Sequence, residues 1–190
     1  SGLSWSPGFL RDFSEYGMPL EMNPDKPDTL LFAPEDGKLW RSKDFGVTWD
    51  SLSAPLFRSP CDIVIVPGDD SRILVGDGVT GSGFGQIFQS TNGGASFTLR
   101  YTGPSSEVPT VWGNRLENNV LFATNWSNGG VWKSTDYGTN WTLVSDVSSA
   151  WGGGTSNDDP RVVAFNRYAG IPNFLSTDQG ATFVSQNITN

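Results

Sequence analysis

The sequence predicts an all-β protein, a β-propeller of four-stranded antiparallel blades, and three observations carry that prediction. Of 190 residues, 23 are Gly, 12 are Pro and 8 are Trp, while only 17% are charged. That composition suits short strands, many turns and rings packed between sheets, and it argues against long helices. One octapeptide pattern recurs four times. Its copies start at Ser42, Ser90, Ser134 and Ser176, at spacings of 48, 44 and 42 residues, the length of one propeller blade.

The pattern reads Ser-x-Asp-x-Gly-x-Thr/Ser-aromatic. Its first copy places Ser42, Asp44, Gly46, Thr48 and Trp49. The second has Ser90, Asn92, Gly94, Ser96 and Phe97, with Asn for Asp, and the third has Ser134, Asp136, Gly138, Asn140 and Trp141, with Asn for Thr/Ser. The fourth, Ser176, Asp178, Gly180, Thr182 and Phe183, is complete. These residues suit a hairpin tip. Gly supplies a positive φ, Asp or Asn and the Ser hydroxyl bond nearby backbone groups, and the aromatic ring folds back under the loop. Alternating apolar and polar residues flank each copy, as in 130–133 and 141–144 around the third, which predicts the two hairpin strands.

Two more strands fit ahead of each copy. They are 18–23 and 29–33, then 62–66 and 72–76, then 108–113 and 119–124, and finally 151–155 and 161–166. Turn-forming runs such as Asn23-Pro24-Asp25 and Pro67-Gly68-Asp69 separate the first two pairs. One domain, residues 1–190, is therefore expected, with blades at about 18–53, 61–101, 108–146 and 151–187.

The four copies resemble the boxes of the Asp-box (BNR) repeat superfamily, which includes sialidase, xyloglucanase and sortilin-like propellers; the resemblance spans residues 18–187. It implies that each box sits between strands three and four of its blade and serves folding. It also implies an extracellular or periplasmic protein. The ligand face would be built from the loops joining strands two and three and from the connections between blades. Propellers of this kind usually have six or more blades. Four repeats are thus read as a segment of a larger ring, as a closed ring of four, or as a part completed by self-association.

Several function classes are excluded. The chain has no His, which removes His-based triads and His metal sites, and its one Cys, Cys61, removes intramolecular disulfides and Cys zinc sites. A net charge of −8 does not suit a nucleic-acid backbone. No apolar run approaches the roughly 18 residues a membrane span needs, and 63–66 is only strand-length, so no membrane insertion is expected. No cofactor is implied, and Ca²⁺ is considered only at acidic turns such as Asp69-Asp70 and Asp158-Asp159.

On the expected ligand face, Asp77, Phe84, Trp126, Trp151, Arg167 and Tyr168 are the candidate ligand-binding residues. Flat rings beside polar groups suit a sugar; the alternative for each ring is packing between blades. Trp40, Trp132 and the four box rings are expected in the core. For catalysis, Phe57-Arg58-Ser59-Pro60 resembles the Phe/Tyr-Arg-Ile-Pro motif of sialidases. It departs at the third position and follows the first box instead of preceding it, and no set of three arginines can be assigned. Asp62, Asp77, Glu107, Asp158 and Asp159 are candidate carboxylates for a glycosidase, without an assignable pair, so no catalytic residue is named. Acceptor patterns for N-glycosylation begin at Asn125, Asn140 and Asn187. The function expected is non-catalytic recognition or scaffolding, with a glycan or protein partner. The alternative is a piece of a xyloglucanase-like glycoside hydrolase, with a sialidase third.

Overall fold

A computed structural model describes residues 9, 11–12, 16–79, 83–169 and 172–186. These residues form sixteen strands and no helix. The first sheet holds β1 (Leu20–Met22), β2 (Leu30–Phe32), β3 (Trp40–Ser42) and β4 (Asp50–Ser51), and the second β5 (Pro60–Ile65), β6 (Ile73–Asp77), β7 (Gln86–Ser90) and β8 (Thr98–Thr102). The third holds β9 (Val111–Gly113), β10 (Leu121–Asn125), β11 (Gly130–Ser134) and β12 (Thr142–Ser145), and the fourth β13 (Ala150–Thr155), β14 (Val163–Arg167), β15 (Asn173–Ser176) and β16 (Val184–Gln186). Each sheet is an antiparallel meander in chain order. The sheets stand as consecutive blades of a β-propeller that is not closed, which excludes the four-bladed ring for this structure. The last predicted blade residue, Asn187, lies outside the described residues.

All four octapeptides occupy the tip between strands three and four. In the first, the Ser42 hydroxyl accepts from the Gly46 N–H at 2.8 Å and donates to Asp44 at 2.7 Å. Asp44 then accepts from the Thr48 N–H and hydroxyl at 2.8 and 2.6 Å. These bonds hold the Asp44 carboxyl down at about 2. Asn92 keeps the same frame by donating from its amide to the Ser96 hydroxyl at 2.9 Å. The residue before the box Gly is also left-handed, with φ of 58° at Phe45, 62° at Tyr137 and 60° at Gln179, beside Gly93 at 69°. The backbone N–H of each donates to the turn between the first two strands of its own blade.

Register gives each blade two faces. Ile73 and Val75 turn toward the preceding sheet and Leu74 toward the following one, and the pattern repeats at Leu121, Ala123 and Phe122. Three apolar clusters fill the three junctions. The first joins Leu31, Ala33 and Leu39 to Ile63, Ile73, Val75 and Phe88. The second joins Leu74 and Ile87 to Val111, Leu121 and Ala123, and the third joins Trp112, Phe122 and Val131 to Val163 and Phe165. Of the rings expected in the core, Trp132, Phe97, Trp141 and Phe183 are half-buried and pack against these clusters, whereas the strand-three ring Phe88 is buried within the first. Trp40 and Trp49 depart further from expectation. They lie on the outer face of the first sheet, covered by Phe9 at ring distances of 5.0 and 5.3 Å.

Candidate functional site

Antiparallel meanders put the loops between strands two and three, and the links between blades, on one face. The boxes and the turns between strands one and two occupy the other. On the loop face, Trp126 follows β10, Trp151 lies in β13 and Tyr168 follows β14. Backbone bonds converge these segments. The Trp126 N–H donates to the Glu107 carbonyl at 2.9 Å and the Tyr168 N–H to Ser149 at 2.8 Å, while the Thr124 hydroxyl donates to the Trp151 carbonyl at 2.8 Å. The three rings consequently meet, with centroids 5.2 Å (Trp126–Trp151), 4.9 Å (Trp126–Tyr168) and 5.0 Å (Trp151–Tyr168) apart. Tyr168 is 62% exposed. The indole N–H groups of Trp40, Trp49, Trp132 and Trp141 donate within the protein; those of Trp126 and Trp151 have no acceptor among the described residues.

Trp151 also lines a cavity of about 530 Å³ with Tyr16, Gly17, Met18, Cys61, Asp62, Pro109 and Thr110. Asp62 lies on the inner strand of the second blade and bonds the inner strand of the third, accepting from the Val111 N–H at 2.8 Å and the Ile63 N–H at 2.9 Å. Burial pushes its carboxyl up to about 7. On the neighbouring inner strand, burial and the Asp62 charge push Glu21 up to about 7 as well. Sequence reasoning placed Asp62 among the candidate carboxylates without a partner and overlooked Glu21, because only the assembled blades turn their innermost strands toward a shared axis.

The other candidates are placed differently. Asp77, read as a loop residue, ends β6 and is fully buried. One of its oxygens accepts from the Arg58 and Ser59 N–H groups at 3.0 and 2.8 Å, and the other takes the Arg58 guanidinium at 3.0 Å. It is structural, and Arg58 is engaged with it and with the Phe84 carbonyl at 2.9 Å. Phe84 is 55% exposed and stands outside the ring cluster. Arg167 donates to the Ser148 carbonyl at 3.0 Å, fixing the loop beneath Tyr168. Glu107 is buried between Gly78 and Asn125, and its Oε2 has no partner among the described residues. Burial likewise pushes its carboxyl and the Cys61 thiol up. Asp159 is taken by Arg161 at 2.7 Å. Asn125 is fully buried and donates to the Glu107 carbonyl, so its acceptor pattern is sterically closed, and Asn187 lies outside the described residues. Among the described residues no three Cys, Asp or Glu side chains form a metal-holding group.

No protein-family model matches the chain. Solved structures do. An ancestral GH74 enzyme aligns over 96% of this chain with a TM-score of 0.75 at 17% identity, covering 25% of its own length. A GH74 enzyme from Niastella koreensis aligns over 90% of this chain (0.72, 20% identity) and the GH74 xyloglucanase from Xanthomonas campestris also over 90% (0.69, 18%), with 29% and 30% of those chains covered. This chain therefore spans between a quarter and a third of the length of these GH74 proteins. At these identities the likeness establishes the propeller fold.

Proposed function

We propose that this chain is a segment of an Asp-box propeller whose loop-bearing face binds a neutral glycan without cleaving it. Four hairpin tips with one hydrogen-bond frame support the Asp-box assignment. The observation that carries the binding reading is the cluster of Trp126, Trp151 and Tyr168 beside the Asp62 cavity. Half-exposed rings offer flat faces to sugar C–H groups, and two unpaired indole N–H groups with the Tyr168 hydroxyl serve the sugar hydroxyls. Both Asp62 oxygens are spent on backbone N–H groups, which favours a stitching carboxyl over a catalytic one.

The solved xyloglucanase of the same fold makes xyloglucan oligosaccharides the first probe, titrated calorimetrically. Trp151→Ala is expected to weaken binding at least tenfold while leaving the unfolding midpoint within a few degrees. Equal binding by wild type and variant refutes the assignment. A second reading, part of a glycoside hydrolase, rests on the two raised carboxyls Asp62 and Glu21, since retaining and inverting cleavage each need a carboxyl pair. It requires reducing-end release that Asp62→Asn abolishes; absence of release removes it.

A further inference from the structure

The three blade junctions repeat one contact on the box-bearing face, and one of them leaves it empty. At the second junction Gln89 of β7 donates to the Tyr137 carbonyl at 2.6 Å, and the Tyr137 ring fills the space beneath the Arg72 guanidinium, 4.5 Å away. At the third, Lys133 of β11 donates to the Gln179 carbonyl at 2.7 Å and to its side chain at 3.2 Å, and Gln179 bonds Glu117. Cross-strand register puts Arg41 at the corresponding position of the first junction, since it pairs with Leu31 as Gln89 does with Leu74 and Lys133 with Phe122. The residue corresponding to Tyr137 and Gln179 is Gly93. A Cβ added there would meet nothing within 4 Å.

The space a side chain would fill is a cavity of about 670 Å³, a size usual for small-molecule sites. Leu31, Ile65 and Ile73 line its apolar side. Lys26 and Asp70 on its rim pair with each other. The charged ends of Arg41 and Lys43 have no partner among the described residues, while Asp28 accepts from the neighbouring Thr29 hydroxyl at 3.2 Å and lies near enough to Lys26 to favour its charge. An unpaired guanidinium, an ammonium and one carboxylate around an apolar wall present a fork for a carboxylate plus a donor and an acceptor for hydroxyls. In a chain of net charge −8 such a cationic recess is not a general surface property.

We propose that this cavity binds a hydroxylated carboxylate of monosaccharide size, a hexuronate being the representative, with Arg41 holding the carboxylate. This site lies on the opposite face from the ring cluster and stands or falls separately from the glycan reading. D-glucuronate and D-galacturonate are the probes, with D-glucose as the neutral comparison, titrated against the full chain by calorimetry and ligand-observed NMR. At least one uronate is expected to bind saturably in the millimolar range, at least tenfold tighter than glucose. Arg41→Gln is expected to cost at least tenfold.

Gly93→Gln restores at the first junction what Gln179 supplies at the third. The left-handed backbone there is one that Phe45, Tyr137 and Gln179 already adopt with side chains. It is expected to abolish binding while lowering the unfolding midpoint by no more than a few degrees, the cost of a side chain on left-handed backbone. Failure of both uronates to saturate, binding no tighter than glucose, or binding unchanged by Arg41→Gln overturns the proposal. Should Gly93→Gln fail to fold, the Arg41→Gln comparison alone decides.

Discussion

Asp62→Asn tests the electrostatics of the inner strands. The Asp62 carboxyl titrates near 3.8 when free and at about 7 in the fold, so between those values the folded state binds a proton that the unfolded chain has released. Stability must then fall as pH rises from about 4 to 7 and level off above. A shift of about three units corresponds to about 4 kcal/mol. Glu21, raised by burial and by the Asp62 charge, adds its own loss of stability over the same pH window.

The amide of Asn offers one acceptor oxygen where Asp62 uses two, so either the Val111 or the Ile63 N–H loses its partner. That costs about 1 kcal/mol at every pH. The variant is therefore expected to be less stable than wild type by about 1 kcal/mol at pH 4 and more stable by about 1–3 kcal/mol at pH 8.5. Urea unfolding at the two pH values, with m-values compared to confirm the same transition, measures both differences. A variant that loses as much stability as wild type between pH 4 and 8.5 would show that Asp62 is not titrating in this window and would refute the argument.

Further outcomes follow from the same structure. Asp44, Asp159 and Asp178 are held down at about 2 by hydrogen bonds, so they add stability above their unfolded values near 4 and lose it as pH falls toward 2. Set against the raised Asp62 and Glu21, a thermal-melt series should peak close to pH 4, and a maximum above pH 7 would contradict it. Ser134→Ala leaves the N–H groups of Asp136 and the buried Gly138 without their acceptor; a loss of about 2 kcal/mol is expected by denaturant titration. Gly17→Ala would put a methyl group 2.1 Å from the Cys61 carbonyl oxygen. The lead-in then has to part from β5, with a cost of about 1–3 kcal/mol and a lower unfolding midpoint.

The sequence made the blades legible because four boxes mark four hairpins, and the local chemistry of Ser, Asp and Gly dictates the tip wherever it occurs. Strand placement followed within a few residues. The left-handed Phe45, Tyr137 and Gln179 were not legible, since nothing in their side chains favours that backbone; the bonds made by Ser and Asp on either side impose it. Asp77 was misplaced because a carboxylate followed by Gly looks like a loop, whereas the Arg58 and Ser59 N–H groups reach back across the strand end to bury it. The rings of Trp126, Trp151 and Tyr168 were each legible as loop aromatics. Their meeting was not, because three separate segments must be brought together by backbone bonds.

The two open faces of the propeller obey the internal junctions unequally. At each junction an apolar group from ahead of the blade packs on the ring of strand three and the ring of the box. Phe57 does so on Phe88 and Phe97 at 5.7 and 5.1 Å, Tyr101 on Trp132 and Trp141 at 4.8 and 6.5 Å, and Val144 and Val147 join the cluster of Phe174 and Phe183. Phe9 completes the series on Trp40 and Trp49, with Arg11 over Trp40 at 5.3 Å. The first blade thus carries a full receiving face. The fourth blade offers no matching counterpart: where Leu31, Leu74 and Phe122 project toward the next sheet stands Ala164, and where Arg41, Gln89 and Lys133 stand is Leu175, which has no donor. Placed against the first blade, that face would leave the Phe45 carbonyl without the bond that Tyr137 and Gln179 receive and would leave a void at Ala164. Head-to-tail contact between two copies would accordingly lack both the large apolar residue and the donor that the second and third junctions supply.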